Sequence, residues 1–269
     1  MMTSLISPIS TIADAYLEQL DSADGVYRIS ENIDRTAKTL GYVAKSFFNR
    51  SSNVLGKTSK IFGTVCAVSD GVVGPILHVQ YLWDKNGIRR DIQDKNIMNL
   101  SVNTGYAVLE GLCTLDLLSM MKVVNVGAFT GTVIPPVVAL AFSIDLTATA
   151  VSFFSQKEVS HDDAKEYIEE NKERFQKIDT ENEKIKEAKR LLRGRKVRET
   201  AVKVAKLSLN IIFFTAITAS ALSAAVTIGT PVILTLGIAA TFTALAHEIL
   251  ITKTVRSKLE TPISNAKQS

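Results

Sequence analysis

From Leu207 to His247 the chain runs 41 residues without an Asp, Glu, Lys or Arg. No other feature restricts the fold as much. A continuous helix of that length would reach about 60 Å, twice the ~30 Å hydrocarbon core of a bilayer. The chain must therefore turn back within the stretch. Gly229, Thr230 and Pro231 form its one strong breaker, close to the midpoint. Glycine ends a helix well, and proline suits the first turn of the next. This predicts two arms, Leu207–Ile228 and Val232–Thr252, each about one bilayer thick, forming a transmembrane hairpin over residues 207–252. Ala216, Ser220 and Ala224 recur at interval four on the first arm, as do Ala240 and Ala244 on the second. Such small-residue ridges let helices approach closely in lipid. A hairpin buried in a large soluble bundle can also be apolar all round, and that reading stays open.

The charges outside the hairpin give it an orientation. Lys189, Arg190, Arg193, Arg195, Lys196, Arg198, Lys203 and Lys206 precede the first arm, with Glu199 the one acid among them. Lys253, Arg256 and Lys258 follow the second arm, and the tip carries no charge. By the positive-inside rule both flanks lie on the cytosolic side and the tip across the membrane. The same cations would attract anionic lipid headgroups, at roughly 1 kcal/mol for each residue near the surface.

Residues 156–206 are of the opposite character, dense in charge, with no proline and one glycine, Gly194. Ser160 with Asp163 three residues on reads as a capping box. Ile168, Phe175, Ile178, Ile185 and Leu192 then fall on a seven-residue repeat whose other core positions include Asn171 and Asn182. Polar residues at such sites set register and partner number in coiled coils. The pattern predicts one long charged helix, lying either along its own protein or against an unknown partner or second copy through residues 160–200.

The N-terminal region, 1–121, reads as amphipathic and apolar helices. Val26, Ile29, Ile33, Ala37, Leu40, Ala44 and Phe47 recur at helical spacing over 25–48, and acids interrupt the apolar runs 60–83 and Leu100–Met121. In 122–155, Val123–Ile144 has no charge, and Pro135-Pro136 is expected to break its helix. A span, a re-entrant or kinked segment and a buried bend are all open there. Residues 253–269 form a polar tail.

Catalytic signatures are missing from the sequence. Gly56-Lys57-Thr58 contains the end of a phosphate loop, but Ser51 stands where the first glycine is required. His78, His161 and His247 have no metal-ligand spacing. Cys66 and Cys113 are lone thiols in apolar runs. A net charge of +4 is too mild to point to nucleic acid. These observations predict a non-enzyme with no cofactor, no metal and no nucleic-acid partner.

The bilobed stretch "LSLNIIFFTAITASALSAAVTIGTPVILTLGIAATFTALAHEILI", with its charged helix alongside, resembles the hydrophobic region of chlamydial inclusion membrane proteins. The resemblance implies type III secretion, insertion into the inclusion membrane of a host cell, both flanks in host cytosol, and coiled-coil segments that engage other proteins. The expected protein is all-α: a multi-helix membrane protein with a C-terminal hydrophobic hairpin and a long charged helix. Its expected function is that of a membrane-anchored interaction or scaffold effector. A pore-forming or membrane-inserting protein and a membrane-shaping protein are the alternatives.

Overall fold

The computed structural model describes residues 53–68, 87–125, 129–155, 159–222 and 229–260, with isolated positions 14–15, 17–18, 26, 29–30, 33, 36–37, 40, 71–72 and 75–76. Most of the helix expected over 25–48, the connection 223–228 and the tail beyond Glu260 lie outside the described residues. What is described is helical, with no strand: α1 (Asn53–Val68), α2 (Ile88–Gln93), α3 (Ile97–Met120), α4 (Phe129–Ser155), α5 (His161–Glu170), α6 (Lys172–Phe175), α7 (Glu181–Leu222), α8 (Thr230–Ile251) and α9 (Lys253–Leu259). The Gly56-Lys57-Thr58 run lies inside α1, not in a loop.

Helix α7 is the organising element. Its 42 residues run unbroken from the charged block into the apolar stretch. The compositional border at Lys206/Leu207 is therefore not a structural border. Helices α4 and α8 pack along α7, α3 packs on α4, and α5 packs on the charged half of α7. Helices α4 and α8 run antiparallel to α7, as side-chain pairs show: Phe142 meets Phe214 whereas Asp145 meets Lys203, and Lys206 meets Glu248 whereas Glu199 meets Arg256.

Small residues set the close approaches. Ala240 and Ala244 are buried on α8 and Ala216 on α7. A Cβ added at Gly237 would stand 3.0 Å from the Phe213 ring. Gly237→Leu is expected to force the two arms apart at a cost of about 2 kcal/mol. A fall in the thermal midpoint of the detergent-solubilised protein, with helix content kept, is the readout. An unchanged midpoint would mean that the arms are not packed at this point.

Pro135 and Pro136 do not break α4, which runs through both. The expectation of a break is corrected by their position. They lie in the second turn, so only carbonyls of the first turn lose their helical donors. The remaining turns are held by burial of Val138 and Ala141. Tyr106 on α3 stacks edge-on against Phe142 of α4 at 6.1 Å.

The charged region folds differently from the expected single helix. The Ser160 capping box forms: Asp163 N donates to Ser160 Oγ at 2.9 Å, and Ser160 N donates to Asp163 Oδ2 at 3.3 Å. Helix α5 then ends at Asn171, whose Nδ2 donates to the Tyr167 carbonyl at 2.9 Å. After α6 and a turn, α7 begins, and α5 packs against it. The core between them contains Ala164, Tyr167, Phe175, Ile178, Ile185, Ala188 and Leu191, with Ile168 and Leu192 packed at its edge.

Among the described residues, three helices are long and apolar enough to cross a membrane: residues 132–155, the apolar end of α7, and 231–251. Large apolar side chains on their outer faces are uncovered, among them Leu140, Ile212, Val232 and Phe242.

Candidate functional site

Where the apolar helices end, α7 carries a ladder of ion pairs to its neighbours. On the first rung Lys206 Nζ lies 3.0 Å from Glu248 Oε1 of α8, with both side chains nearly buried. His247 Nδ1 is 3.2 Å from the same oxygen. On the second, Lys203 Nζ lies 2.9 Å from Asp145 Oδ1 of α4. Tyr106 on α3 donates its hydroxyl to Asp145 Oδ2 at 2.9 Å, and Thr149 donates to Oδ1 at 3.3 Å. One carboxylate thus ties α3, α4 and α7 together. Such acids in largely apolar helices are costly unless paired.

The ladder continues into the charged half. Arg256 donates to Glu199 Oε1 at 2.8 Å through Nε. Beyond it Glu260, which follows α9, is 1% exposed. Arg195 clasps Glu260 with two parallel hydrogen bonds of 2.5 and 2.6 Å, the strong planar geometry for a guanidinium and a carboxylate. Tyr167 donates to Glu260 Oε2 at 2.8 Å, and Arg198 lies 4.0 Å from Oε1. Burial alone would raise the Glu260 pKa, but the hydrogen bonds from Arg195 and Tyr167 outweigh it and hold the carboxyl below its ordinary value. Burial, then the hydrogen bond to Glu260, pushes the Tyr167 hydroxyl up to about 12. Arg174 also donates to the Ser257 carbonyl, which fastens α9 a second time.

The residues expected to meet lipid headgroups are in large part engaged within the chain. Arg195, Arg198, Lys203, Lys206 and Arg256 are the cations of the ladder. Arg190 forks onto Glu187 at 2.7 and 2.8 Å. Lys196 lies over the Phe153 ring. Lys189 is half-buried and Arg193 exposed, while the side chains of Lys253 and Lys258 lie outside what is described. In the hairpin turn, Gly229 caps α8 with Pro231 in its first turn. The expected partner seam points inward. Phe175, Ile178 and Ile185 are buried in the α5–α7 core, Ile168 and Leu192 are packed at its edge, Asn171 closes α5, and Asn182 is exposed. A seam on one straight helix would present these side chains to a partner. The helix break at Asn171 folds it onto itself.

Set beside known proteins, the chain matches no family model, no curated protein and no solved structure. The ladder is therefore interpreted on its own chemistry. Sequence reasoning singled out its cations and missed its acids, Asp145, Glu199, Glu248 and Glu260, as functional groups. A signal was present: each is an isolated acid in or beside an apolar or basic run.

Proposed function

We propose that this chain is a membrane-anchored interaction or scaffold protein, with the apolar helices as its anchor and the α5–α7–α9 module as the part it presents. One observation carries the reading. The apolar windows of the three long helices are only 17%, 22% and 33% buried inside the protein, while the other half of α7 supports a closed, charged module. A soluble bundle would have to expose that apolar surface to water, at roughly 25 cal/mol for each Å². A bilayer removes the cost. The charge ladder then lies near one membrane boundary, on the side of both hairpin flanks, and the Gly229–Pro231 turn lies across the membrane. A partner would meet the exposed polar faces of α5 and α7, because the apolar seam is already occupied. The resemblance to inclusion membrane proteins supports a host inclusion membrane as its location and a secreted effector as its role.

The anchor reading predicts that the protein stays in the membrane pellet under alkaline carbonate wash. It also predicts sidedness. With Cys66 and Cys113 replaced by alanine, single cysteines at Thr230 and Ser257 should react with an impermeant maleimide from opposite sides of a sealed vesicle. Labelling of both from the same side would sink the hairpin topology.

A further inference from the structure

A cleft of ≈ 570 Å³ lies among α3, α4, α7 and α8 at the level of the ladder. Its α7 wall runs from Lys196 to Lys203, about 10 Å at 1.5 Å per residue. That is close to the ~5–8 Å of polar headgroup layer on one side of a bilayer. The lining is mixed. Asn96, Ser152 and Thr200 offer amide and hydroxyl groups, and Val102 and Ile251 offer apolar surface.

The charges on its walls are unequal once their pairs are assigned. Asp145 is paired with Lys203 at 2.9 Å, and Glu199 with Arg256 at 2.7 Å. His247 shares a contact with Glu248. Lys196 Nζ stands 5.9 Å from the centroid of the Phe153 ring, and among the described residues no carboxylate lies within ion-pair distance of it. A half-buried cation without a counter-charge, in a roomy cleft of mixed lining, favours an anion. The cleft's depth at the border of the apolar helices, and its apolar walls, favour an anion that carries hydrocarbon. A free inorganic anion gains nothing from Val102 and Ile251.

We propose that this cleft binds the phosphodiester of an anionic phospholipid headgroup, with Lys196 as its counter-charge. The inference rests on the membrane-anchored reading and narrows it from a diffuse attraction to one site. It also separates Lys196 from Arg193, a neighbouring cation on α7 that is exposed and not part of the cleft.

The test uses the purified full chain in a neutral detergent, with fluorescent phosphatidylglycerol as the probe and anisotropy as the readout. Lys196→Glu and Lys196→Met are each expected to weaken binding about tenfold, the loss of one charge-assisted hydrogen bond. The methionine keeps the stem against Phe153, so a common loss in both variants separates charge from packing. Arg193→Glu should stay within about twofold of the parent, as a screened surface charge does. Unlabelled phosphatidylcholine and inorganic phosphate should displace the probe poorly. An equal loss in Arg193→Glu would make the attraction diffuse and overturn the site. Displacement by phosphatidylcholine as effective as by phosphatidylglycerol would remove the need for an anion. Displacement by inorganic phosphate at lipid-like concentrations would make it a phosphate site. Parent-like binding by the Lys196 variants would also overturn it. Carbonate extraction judges the anchor independently: a chain that stays in the pellet but binds the probe diffusely has lost the cleft and kept the anchor.

Discussion

Lys206→Ala is expected to destabilise the helical hairpin by roughly 4 kcal/mol, the scale for removing one partner of a buried ion pair. The change removes the ammonium 3.0 Å from Glu248, a carboxylate 8% exposed at the end of the apolar helices. Glu248→Ala should do comparable damage by removing the carboxylate that Lys206 faces. Exchanging the pair, Lys206→Glu with Glu248→Lys, should recover a large part of the loss, because the 3.0 Å contact joins facing positions on two antiparallel helices. Thermal unfolding of the parent, Lys206→Ala, Glu248→Ala and the double alanine variant in one detergent gives the double-mutant cycle, with the exchanged pair measured beside it. A coupling near zero would show that the pair is a surface contact.

The second large effect is at Glu260. Its replacement by alanine should loosen α9 from α5 and α7, with the Arg256–Glu199 and Arg174–Ser257 ties left in place, and cost roughly 3 kcal/mol, less than for a fully buried pair because Arg195 keeps some contact with water. Arg195 would lose both hydrogen bonds and Tyr167 its acceptor. Glu260→Gln should fall between parent and alanine, since it keeps the shape and loses the charge. Hydrogen exchange over 253–260 reads the loosening directly, and unchanged protection in Glu260→Ala would refute the clasp. The pH dependence has two limbs. The Glu260 pKa is lowered in the fold, so its contribution is present above 4.5 and fades as pH falls through the lowered value. The Tyr167 pKa is raised from 10.0 to about 12, so its contribution is present below 10.0 and fades as pH rises through that interval. Glu260→Gln should flatten the acid limb of a stability profile, while Tyr167→Phe should remove the alkaline limb.

The elements most legible in the sequence were those with local causes. The hairpin announces itself because charge is missing over a length no single span needs, and because one Gly-Thr-Pro interrupts it. The α5 capping box is equally local. The seam was legible as a spacing but not as a contact. A seven-residue repeat fixes which side chains share a face only while the helix continues, and Asn171 ends it. The ladder was harder still. Its pairs join residues 42, 57 and 65 positions apart, and no periodicity links a lysine before one apolar arm to a glutamate near the end of the next. Pro135-Pro136 misled because proline's effect depends on where in a helix it falls, and the helix start at Phe129 carries no strong sequence mark.

The unbroken course of α7 has a mechanical consequence. With no hinge between its halves, the helix of a chain anchored as proposed above would act as a lever with its fulcrum at the charged ladder. A helix whose apolar length exceeds the local bilayer thickness relieves the mismatch by tilting. A tilt of about 10° around Lys206 would swing Glu181 sideways by roughly 6–7 Å, given 1.5 Å of rise per residue. The core between α5 and α7 would be carried along as cargo. Bilayer thickness, a property of lipid composition, would then be converted into the position of a protein surface outside the membrane.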